Sequence, residues 1–357
     1  MRTKADDGGE LERNMFDWED TAFEEEVTYS TFGCNVFKAD PRTPDRLEAD
    51  VHIYREGAKK IDRIAPDGRK IRFWTFQDTD PAAPRAKLAH PAPIMRVRQG
   101  QIVHTHLTTS KGPHTIHHHG IEPTTANDGV GHVSFEVGDG YIYQWKPKDA
   151  GSFFYHCHRN TVLHFELGMW GSLIVDPPDL EDGKNYLYEN GPTYDSEMIW
   201  VAHSVDPRWH EVEDHDAGLC GLDMGFNRYE PEYFLLSGVW GDHAQFDPKT
   251  SIKCQKGERV LIRLLNASYT RLQVKFGCPI EVVASDGHSW GRKPWCPTSV
   301  KMPANSTLEL VTAQRYDVVV ELNEPGDYPV IMQFRDWITN KIHAQGKGQI
   351  ITKVTVR

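Results

Sequence analysis

One short stretch, residues 151–175, concentrates side chains that bind transition metals. Between two strand-like apolar runs it carries His156, Cys157, His158, His164 and Met169. Thiolate, imidazole and thioether together suit copper better than most metals, because soft sulfur tolerates Cu(I) and imidazole suits Cu(II). Two histidines and one cysteine in a trigonal arrangement, with a weak axial methionine, form the blue-copper site. The stretch therefore predicts a copper centre that needs one more histidine from elsewhere.

A second motif, PHTIHHHG at residues 113–120, can supply that histidine. In a strand, alternate residues share a face. His117 and His119 should therefore project together, while His118 points away. His114 lies three residues earlier, where the entry to the strand could turn it toward a different site.

The two histidines that flank Cys157 follow the same alternation. If Cys157 faces one copper, His156 and His158 face the opposite side, toward another metal site. A lone histidine or cysteine in a strand is more often a packed core residue than a ligand. Eight ligand-type side chains that fall on both halves of a two-part pattern favour the metal interpretation.

The motifs HTIHHHG and HCHRNTVLHFELGM resemble the copper-binding signatures of multicopper oxidases, a cupredoxin-fold family similar to the copper nitrite reductases. The resemblance implies that type 1 copper is held by His114, Cys157, His164 and Met169. It implies that type 2 copper is held by His117, and type 3 copper by His119, His156 and His158. Six residues separate Cys157 from His164, where the family usually has fewer. We interpret this as a resized ligand loop.

Short strands separated by Gly, Pro and Asn turns dominate the chain after residue 50, which predicts Greek-key sandwiches. With the resemblance, we expect an all-β fold of two cupredoxin-like domains behind an acidic N-terminal extension. The predicted boundaries are an extension at 1–47, a copper-binding cupredoxin domain at 48–178, a polar linker at 179–196 and a second cupredoxin-like domain at 197–357.

The second domain carries no recognisable copper motif, and KFGCPIEVV stands where a histidine pair might be expected. Its histidines fall in no paired pattern, so we predict surface or structural roles for His203, His210, His215, His243, His288 and His343. Among these, His288 and His343 are the best remaining ligand candidates. His104 and His106 also alternate along a strand of the first domain. We interpret them as ordinary strand residues, because the following motif already fills the ligand roles.

The second copper site therefore lacks part of the ligand set that a trinuclear cluster takes in this family. We hypothesise that two first domains meet across a twofold axis, so that His117 lies opposite His117 of the partner subunit. Family precedent favours trimers in which unlike domains meet. The remaining alternative is a smaller site, as in the nitrite reductases. Each of the first two arrangements makes the protein a homo-oligomer.

These features predict an oxidoreductase that takes electrons from a small-molecule or metal-ion reductant at type 1 copper and reduces O2 at the second site. Cys157, His156 and His158 would carry the electrons, and Met169 would tune the potential as a weak axial ligand. Asp128, in the turn after the histidine motif, is our candidate proton donor, although a turn-forming role explains it equally well. The alternatives are a copper nitrite reductase and an electron-transfer protein without turnover.

The chain has 357 residues and a formal net charge of −11, which argues against nucleic acid or an anionic membrane as a partner. It contains no apolar run long enough to span a bilayer, and its first thirty residues are charged without a hydrophobic segment. Either an intracellular enzyme or an exported one whose leader has been removed fits these observations. With Cys157 committed to copper, five cysteines remain, and an odd number fits a reducing compartment slightly better.

Overall fold

The computed structural model describes residues 48–110, 112–130, 137–138, 140–211, 226–292 and 298–357. The predicted extension at residues 1–47 lies outside them. The regular secondary structure of the described residues is almost all strand, with two short helices, α1 (Thr161–Glu166) and α2 (Pro207–His210), and 3-10 turns at Gly241–His243 and Ala344–Gly346. The all-β prediction is confirmed. No helix in these ranges is long and apolar enough to cross a membrane.

Residues 51–176 form two four-stranded sheets. Their strands are β1 (Val51–Ile64), β2 (Lys70–Asp78), β3 (Met95–Arg98), β4 (Val103–Thr109), β5 (His117–His119), β6 (Gly140–Trp145), β7 (Gly151–His156) and β8 (Trp170–Asp176). One sheet has the order β2-β1-β4-β6, and the other has the order β3-β8-β7-β5. Apolar side chains of both sheets, among them Phe76, Tyr143, Trp145 and Leu173, pack into one core. We call this unit the first sandwich.

Two runs that look like separate strands in the sequence belong to one long strand. VHIY and IDRI are the two ends of β1, and the register with β2 shifts between Glu56 and Lys59. Ala58 there has a positive φ of 56°. An extra residue in one strand of an antiparallel pair bends that strand and strengthens its twist. The bulge therefore lets a single strand follow the curvature of the sheet.

Residues 185–356 hold the remaining strands. These are β9 (Asn185–Tyr186), β10 (Thr193–Tyr194), β11 (Ser196–Val205), β12 (Tyr233–Leu236), β13 (Val239–Trp240), β14 (Ile252–Cys254), β15 (Arg259–Asn266), β16 (Arg271–Phe276), β17 (Ile280–Ser285), β18 (His288–Ser289), β19 (Val300–Met302), β20 (Thr307–Leu310), β21 (Arg315–Glu321), β22 (Gly326–Arg335) and β23 (Gln349–Val356). One sheet runs β13-β12-β11-β15-β21-β17-β18, with β19 beside β17, and the other runs β14-β23-β22-β16-β20. They enclose a core that includes Trp200 and Phe334, and we call this unit the second sandwich.

The segment predicted as a polar linker, residues 179–196, is partly folded. Its two short strands, β9 and β10, pair with each other. Leu187 and Tyr194 are buried in one cluster with Val283 and Val319 of the second sandwich. The segment thus packs onto that sandwich, which its polar composition did not indicate. The predicted domain boundaries stay a prediction.

Candidate metal centres

Three of the predicted type 1 ligands converge at the end of β7. The Sγ atom of Cys157 lies 3.4 Å from Nδ1 of His164 and 3.6 Å from Nδ1 of His114. The rings of His114 and His164 are 4.7 Å apart, centroid to centroid. All three side chains are fully buried. The arrangement offers one sulfur and two nitrogen atoms to a common point in the buried interior. We call it the cysteine centre.

The backbone around the cysteine centre explains how residues distant in sequence meet there. The amide of Cys157 donates to the carbonyl of Met169, and the amide of Met169 donates to the carbonyl of His164, each at 3.0 Å. His114 is fixed by a two-way backbone bridge to Val137, with both hydrogen bonds at 2.9 Å. Met169 is fully buried in the same core as Cys157. The backbone thus ties the predicted axial ligand to both Cys157 and His164.

The resized loop between Cys157 and His164 forms a helical turn. Helix α1 begins after Asn160, which has a left-handed φ of 45°, and it buries His164 on its inner side. Gly168 ends the turn at φ +108°, where a Cβ atom would lie 2.6 Å from the ring of His90. Only glycine fits both the conformation and the space at this position. The longer spacing is therefore taken up by α1, and it does not separate His164 from the cysteine.

Trp74 covers the cysteine centre, and no local sequence pattern predicts this contact. Its ring stacks on His164 at 5.6 Å and 23°, and meets His114 edge-on at 6.0 Å. It lies on β2, in the run KIRFWTF, which predicts only a strand. Trp74 also lines a cavity of about 330 Å³ between strands β1 and β2 and helix α2. One indole ring thus connects the buried centre with an open pocket.

The remaining predicted ligands gather on the outer side of β5 and β7. The antiparallel register places His117 opposite His156. Ligand atoms of His117, His119 and His156 lie within 4.8 Å of one another, and Nδ1 of His119 is 3.3 Å from Nε2 of His156. The ring of His158 is 5.4 Å from that of His117, just outside this closest set. We call these four side chains the imidazole group.

His118 points the opposite way, as strand alternation predicts. Its Nε2 atom is 3.0 Å from Oγ1 of Thr105, and its ring lies 4.7 Å from that of Trp145. Burial lowers its pKa well below the usual value, with a smaller effect from His117. His118 is thus a neutral residue that packs in the core, on the side of β5 opposite His117 and His119.

Hydrogen bonds set the orientation of two rings in the imidazole group. Nδ1 of His117 lies 2.7 Å from the backbone oxygen of Asp128 and 3.1 Å from its carboxylate. Nδ1 of His156 lies 2.9 Å from the backbone oxygen of Cys157. A ring nitrogen that donates to oxygen leaves the other nitrogen as the lone-pair ligand. Asp128 is therefore placed to orient His117, and its role as a proton donor stays a prediction.

Burial favours the neutral form of three imidazoles in this group, those of His119, His156 and His158. Burial lowers the pKa of His119 to about 3, helped by the positive charge of Arg315. Burial also lowers the pKa of His156 well below the usual value, and that of His158 less strongly, with His117 adding to both effects. Neutral imidazole is the form that binds metal. These three side chains are therefore in the form that can bind a metal ion.

The second sandwich places Arg315 close to the imidazole group. This residue, on β21, is buried, and its guanidinium lies 5.5 Å from the ring centre of Phe154. Phe154 in turn stacks on His119 at 4.3 Å. Arg315 also donates from Nε to the backbone oxygen of Ser152 at 3.3 Å. The two sandwiches therefore meet behind the imidazole group through a buried positive charge.

Within the described part of the second sandwich, the histidines lie away from both centres. His203 and His210 are buried, with Nδ1 2.6 Å from the oxygen of Ala267 and 2.7 Å from the oxygen of Arg72 respectively. His288 pairs with Asp149 at 3.2 Å. His243 is exposed, His343 is half-buried, and His215 lies outside the described residues. None of the described ones joins the candidate metal groups.

The donor sets fit copper. The cysteine centre combines a thiol, two imidazoles and a nearby buried methionine, and the imidazole group offers nitrogen donors alone. Among first-row metals, copper is well suited to a site that combines soft sulfur donors with imidazole nitrogen. A β-sandwich with a buried centre of cysteine and histidine is typical of cupredoxin-like copper proteins.

Residues 87–180 match the family model described as multicopper oxidase. This part of the chain is therefore similar to the multicopper oxidases. It is 31% identical over 177 residues to L-ascorbate oxidase of Cucumis sativus, covering 47% of this chain and 27% of that protein. It is 33% identical over 272 residues to copper resistance protein A of Escherichia coli, covering 65% of this chain and 41% of that protein. The chain thus spans less than half the length of these relatives.

The fold is similar to that of blue copper oxidase from Nitrosomonas europaea. The TM-score is 0.62 at 23% identity, and the match covers 86% of this chain and 85% of that one. The predicted cupredoxin-like architecture is confirmed by this likeness. Copper is the cofactor of the family, as the sequence analysis expected.

Proposed function

We propose that the protein is a copper-dependent oxidoreductase that oxidises a reductant one electron at a time at type 1 copper and reduces O2 at a second copper site. His114, Cys157, His164 and Met169 would hold the first copper. His117, His119, His156 and His158 would hold copper at the second site. When bound, copper supplies one-electron chemistry at the first site and oxygen binding at the second.

The observation that carries this proposal is the position of Cys157 between the two donor sets. Its side chain belongs to the cysteine centre, while the neighbouring His156 and His158 belong to the imidazole group. The carbonyl of Cys157 lies 2.9 Å from Nδ1 of His156, which adds a hydrogen bond to the covalent connection. A protein that only carries electrons needs one such centre. The imidazole group therefore argues for turnover.

We further propose that the reductant binds in the cavity beside Trp74. The cavity, of about 330 Å³, is of the size that holds a small molecule. Its charged lining side chains are four cations and two carboxylates, which are Lys60, Arg69, Lys70, Arg72, Asp62 and Glu211. The amine of Lys60 lies 5.0 Å from the centre of the Trp74 ring. In a chain of net charge −11, this local excess of positive charge favours a small anionic reductant. Electrons would pass from it through Trp74 to His164.

Asp128 would serve the second site in two ways. Its backbone oxygen and carboxylate hold the ring of His117 in place. The carboxylate is partly exposed, so it can exchange protons with water while it stays beside the imidazole group. Reduction of O2 consumes protons, and a positioned carboxylate is a suitable donor.

The test is a pair of measurements on copper-loaded protein: copper per chain, and uptake of O2 driven by a reductant. We expect more than about two coppers per chain or per shared interface, and reductant-dependent O2 uptake. About one copper per chain without O2 uptake, as for a blue-copper carrier, would contradict the proposal.

A nitrite reductase is the second candidate. The observation in its favour is that, within the described residues, every imidazole of the second site comes from the first sandwich. Such a set suits a single copper with room for an outside ligand. Consumption of nitrite under anaerobic conditions, with about two coppers per chain, would favour this candidate over the oxidase.

Sharing of the second site between subunits would complete a larger cluster. Strand β5, which carries His117 and His119, is the last strand of its sheet, and both side chains are partly exposed. A twofold contact at this edge would bring two imidazole groups together and make the protein a homo-oligomer. We expect copper-loaded protein to be oligomeric in light scattering, and His117→Ala to lower both the copper content and the assembly. A monomer with full O2 uptake would contradict the shared site.

A further inference from the structure

A third set of histidines lies on β1 and β4 and consists of His52, His104 and His106. Two of them, His104 and His106, are the histidines interpreted above as ordinary strand residues. The two strands are parallel, and their register places His52 beside His104 and Tyr54 beside His106. Residues 104 and 106 share one face of β4, and residue 52 lies on the same face of β1. Three imidazoles are thus brought onto one patch of sheet by two neighbouring strands.

The nitrogen atoms of this patch are close enough for a common ligand. Nδ1 of His52 lies 2.9 Å from Nε2 of His106. The rings of His52 and His104 are 5.3 Å apart, and those of His52 and His106 are 5.2 Å apart. One nitrogen from each residue falls within 4.8 Å of the others, the same closeness that the two copper-centre candidates show.

The patch lies on the outer face of the first sandwich, away from both copper centres. Thr105, between the two histidines on β4, points inward and contacts Trp145 and His118 in the core. His104 and His106 therefore point outward from their sheet. The imidazole group lies on the outer face of the opposite sheet, and packed sheets are about 10 Å apart. The patch cannot share a metal ion with either centre.

Neighbouring side chains fix the rings in place. Nε2 of His104 lies 3.0 Å from Oε1 of Gln144 on the adjacent strand. Tyr54 stacks on His106 at 4.3 Å and 16°. His104 is buried, whereas His52 is exposed. The patch is thus held firmly at its base and faces solvent on its outer side.

We propose that His52, His104 and His106 form a third metal site, for a divalent transition metal that prefers imidazole nitrogen. Three histidines with an open fourth position are a ligand set that Zn²⁺ and Cu²⁺ accept. The exposed side leaves room for water or an external ligand in that position.

Zn²⁺ is the probe that tests this site in the full-length, copper-loaded protein. The protein is equilibrated with Zn²⁺, and bound copper and zinc are measured together by elemental mass spectrometry. We expect about one metal ion per chain at this site, found as added zinc or as copper kept from loading, since Cu²⁺ binds imidazole more tightly than Zn²⁺. We also expect zinc to raise the thermal unfolding midpoint, because a ligand that binds only the folded state stabilises it.

Two variants and one matched control decide the result. His52→Ala and His106→Ala should each hold about one metal ion per chain less than wild type, copper and zinc counted together, while circular dichroism stays unchanged. His243→Ala removes an exposed histidine outside all three sets and should behave as wild type. Equal total copper plus zinc in all four proteins would overturn the proposal. Because His52 is exposed, its variant is not expected to disturb folding.

Discussion

The first sandwich buries Cys157 and the second buries Cys278, and the surroundings of these two thiols are different. Cys157 lies between the imidazoles of His114 and His164. Cys278 lies in an apolar core that also contains Phe276, and burial raises the pKa of its thiol to about 11. Both thiols are inaccessible to solvent. Copper binding is therefore a property of a few side chains at strand ends, and the sandwich architecture alone does not confer it.

The difference extends to the way each sandwich uses its buried histidines. The first sandwich carries three sets of histidines. Two of them, the cysteine centre and the imidazole group, form the sites proposed for copper. In the described part of the second sandwich, buried histidines such as His203 and His210 bond to backbone carbonyl groups instead. The second sandwich acts through Arg315, which helps keep His119 neutral. One unit would supply the ligands, and the other lowers the pKa of one of them, His119.

The largest expected effect comes from exchanging the two cysteines in turn. Cys157→Ser should abolish the intense visible absorption of thiolate-bound copper(II) and reduce O2 uptake to background, because the sulfur ligand is lost. Cys278→Ser should keep both, while its buried hydroxyl lowers the free energy of unfolding by about 1–3 kcal/mol. Visible spectra and denaturant melts measure these quantities. Loss of the colour in Cys278→Ser with retained folding would contradict the comparison.

A second test compares two buried tryptophans. Trp74→Leu should lower reductant-driven O2 uptake at least about tenfold, equivalent to about 1.4 kcal/mol in the barrier, because it removes the ring between the pocket and His164. Trp200→Leu, in the core of the second sandwich, should leave that rate intact. Both substitutions leave a cavity, so each should destabilise the fold by about 2–4 kcal/mol. Steady-state rates with an anionic reductant separate them. Equal rate losses would show that Trp74 acts only through stability.

Arg315 provides a smaller and more specific test. Replacing it by Gln removes a positive charge beside His119, so the pKa of His119 should rise from about 3 toward its usual value. Protons then compete with copper at higher pH, and acid release of copper from the second site should begin roughly half to one pH unit higher than in wild type. Dialysis over a pH series with copper quantification measures this. Arg271→Gln, which removes an exposed ion pair with Glu309 on the same sandwich, should leave the release curve unchanged.

The parts of the site that the sequence predicted are those encoded by local spacing. Alternation along a strand placed His117 and His119 on one face and His118 on the other, and His164 lies beside Cys157. Trp74 and Arg315 were missed because they reach the site from β2 and β21, and their own surroundings predict only strands. His52 was missed for the same reason, since it joins His104 and His106 only through the parallel pairing of β1 with β4. Contacts between strands distant in sequence leave no local pattern.

The fold class could also be predicted from the sequence, but the bulge, the folded linker and helix α1 could not. Turn residues and short apolar runs predicted the sandwiches. The bulge in β1 and the packing of residues 185–194 depend on how neighbouring strands curve and on which surface the segment meets. Helix α1 is too short for its period to be recognised within the ligand loop. These features are determined by tertiary packing.

The smallest expected effect concerns acid stability of the copper-free protein. Burial lowers the pKa of His90 well below its usual value. Above a pH of about 6.5 this histidine is neutral in both the folded and unfolded states and contributes nothing to the pH dependence. Below that pH the unfolded state binds a proton that the folded state excludes, so stability falls as the pH falls. His90→Gln should therefore reduce the slope by about one proton, or about 1.4 kcal/mol per pH unit.

Denaturant melts of the copper-free wild type and His90→Gln between neutral and mildly acidic pH measure that slope. His243→Gln is the control, because His243 is exposed on the second sandwich. An unchanged slope in His90→Gln would mean that the buried imidazole does not resist protonation.

The central claim is that two copper sites lie on either side of Cys157. Electron paramagnetic resonance of copper-loaded wild type and Cys157→Ser tests it most directly. We predict two copper(II) signals in the wild type, one with the narrow hyperfine splitting of a thiolate ligand and one without it, and the loss of only the first in the variant. A single signal that is the same in both proteins would contradict the account.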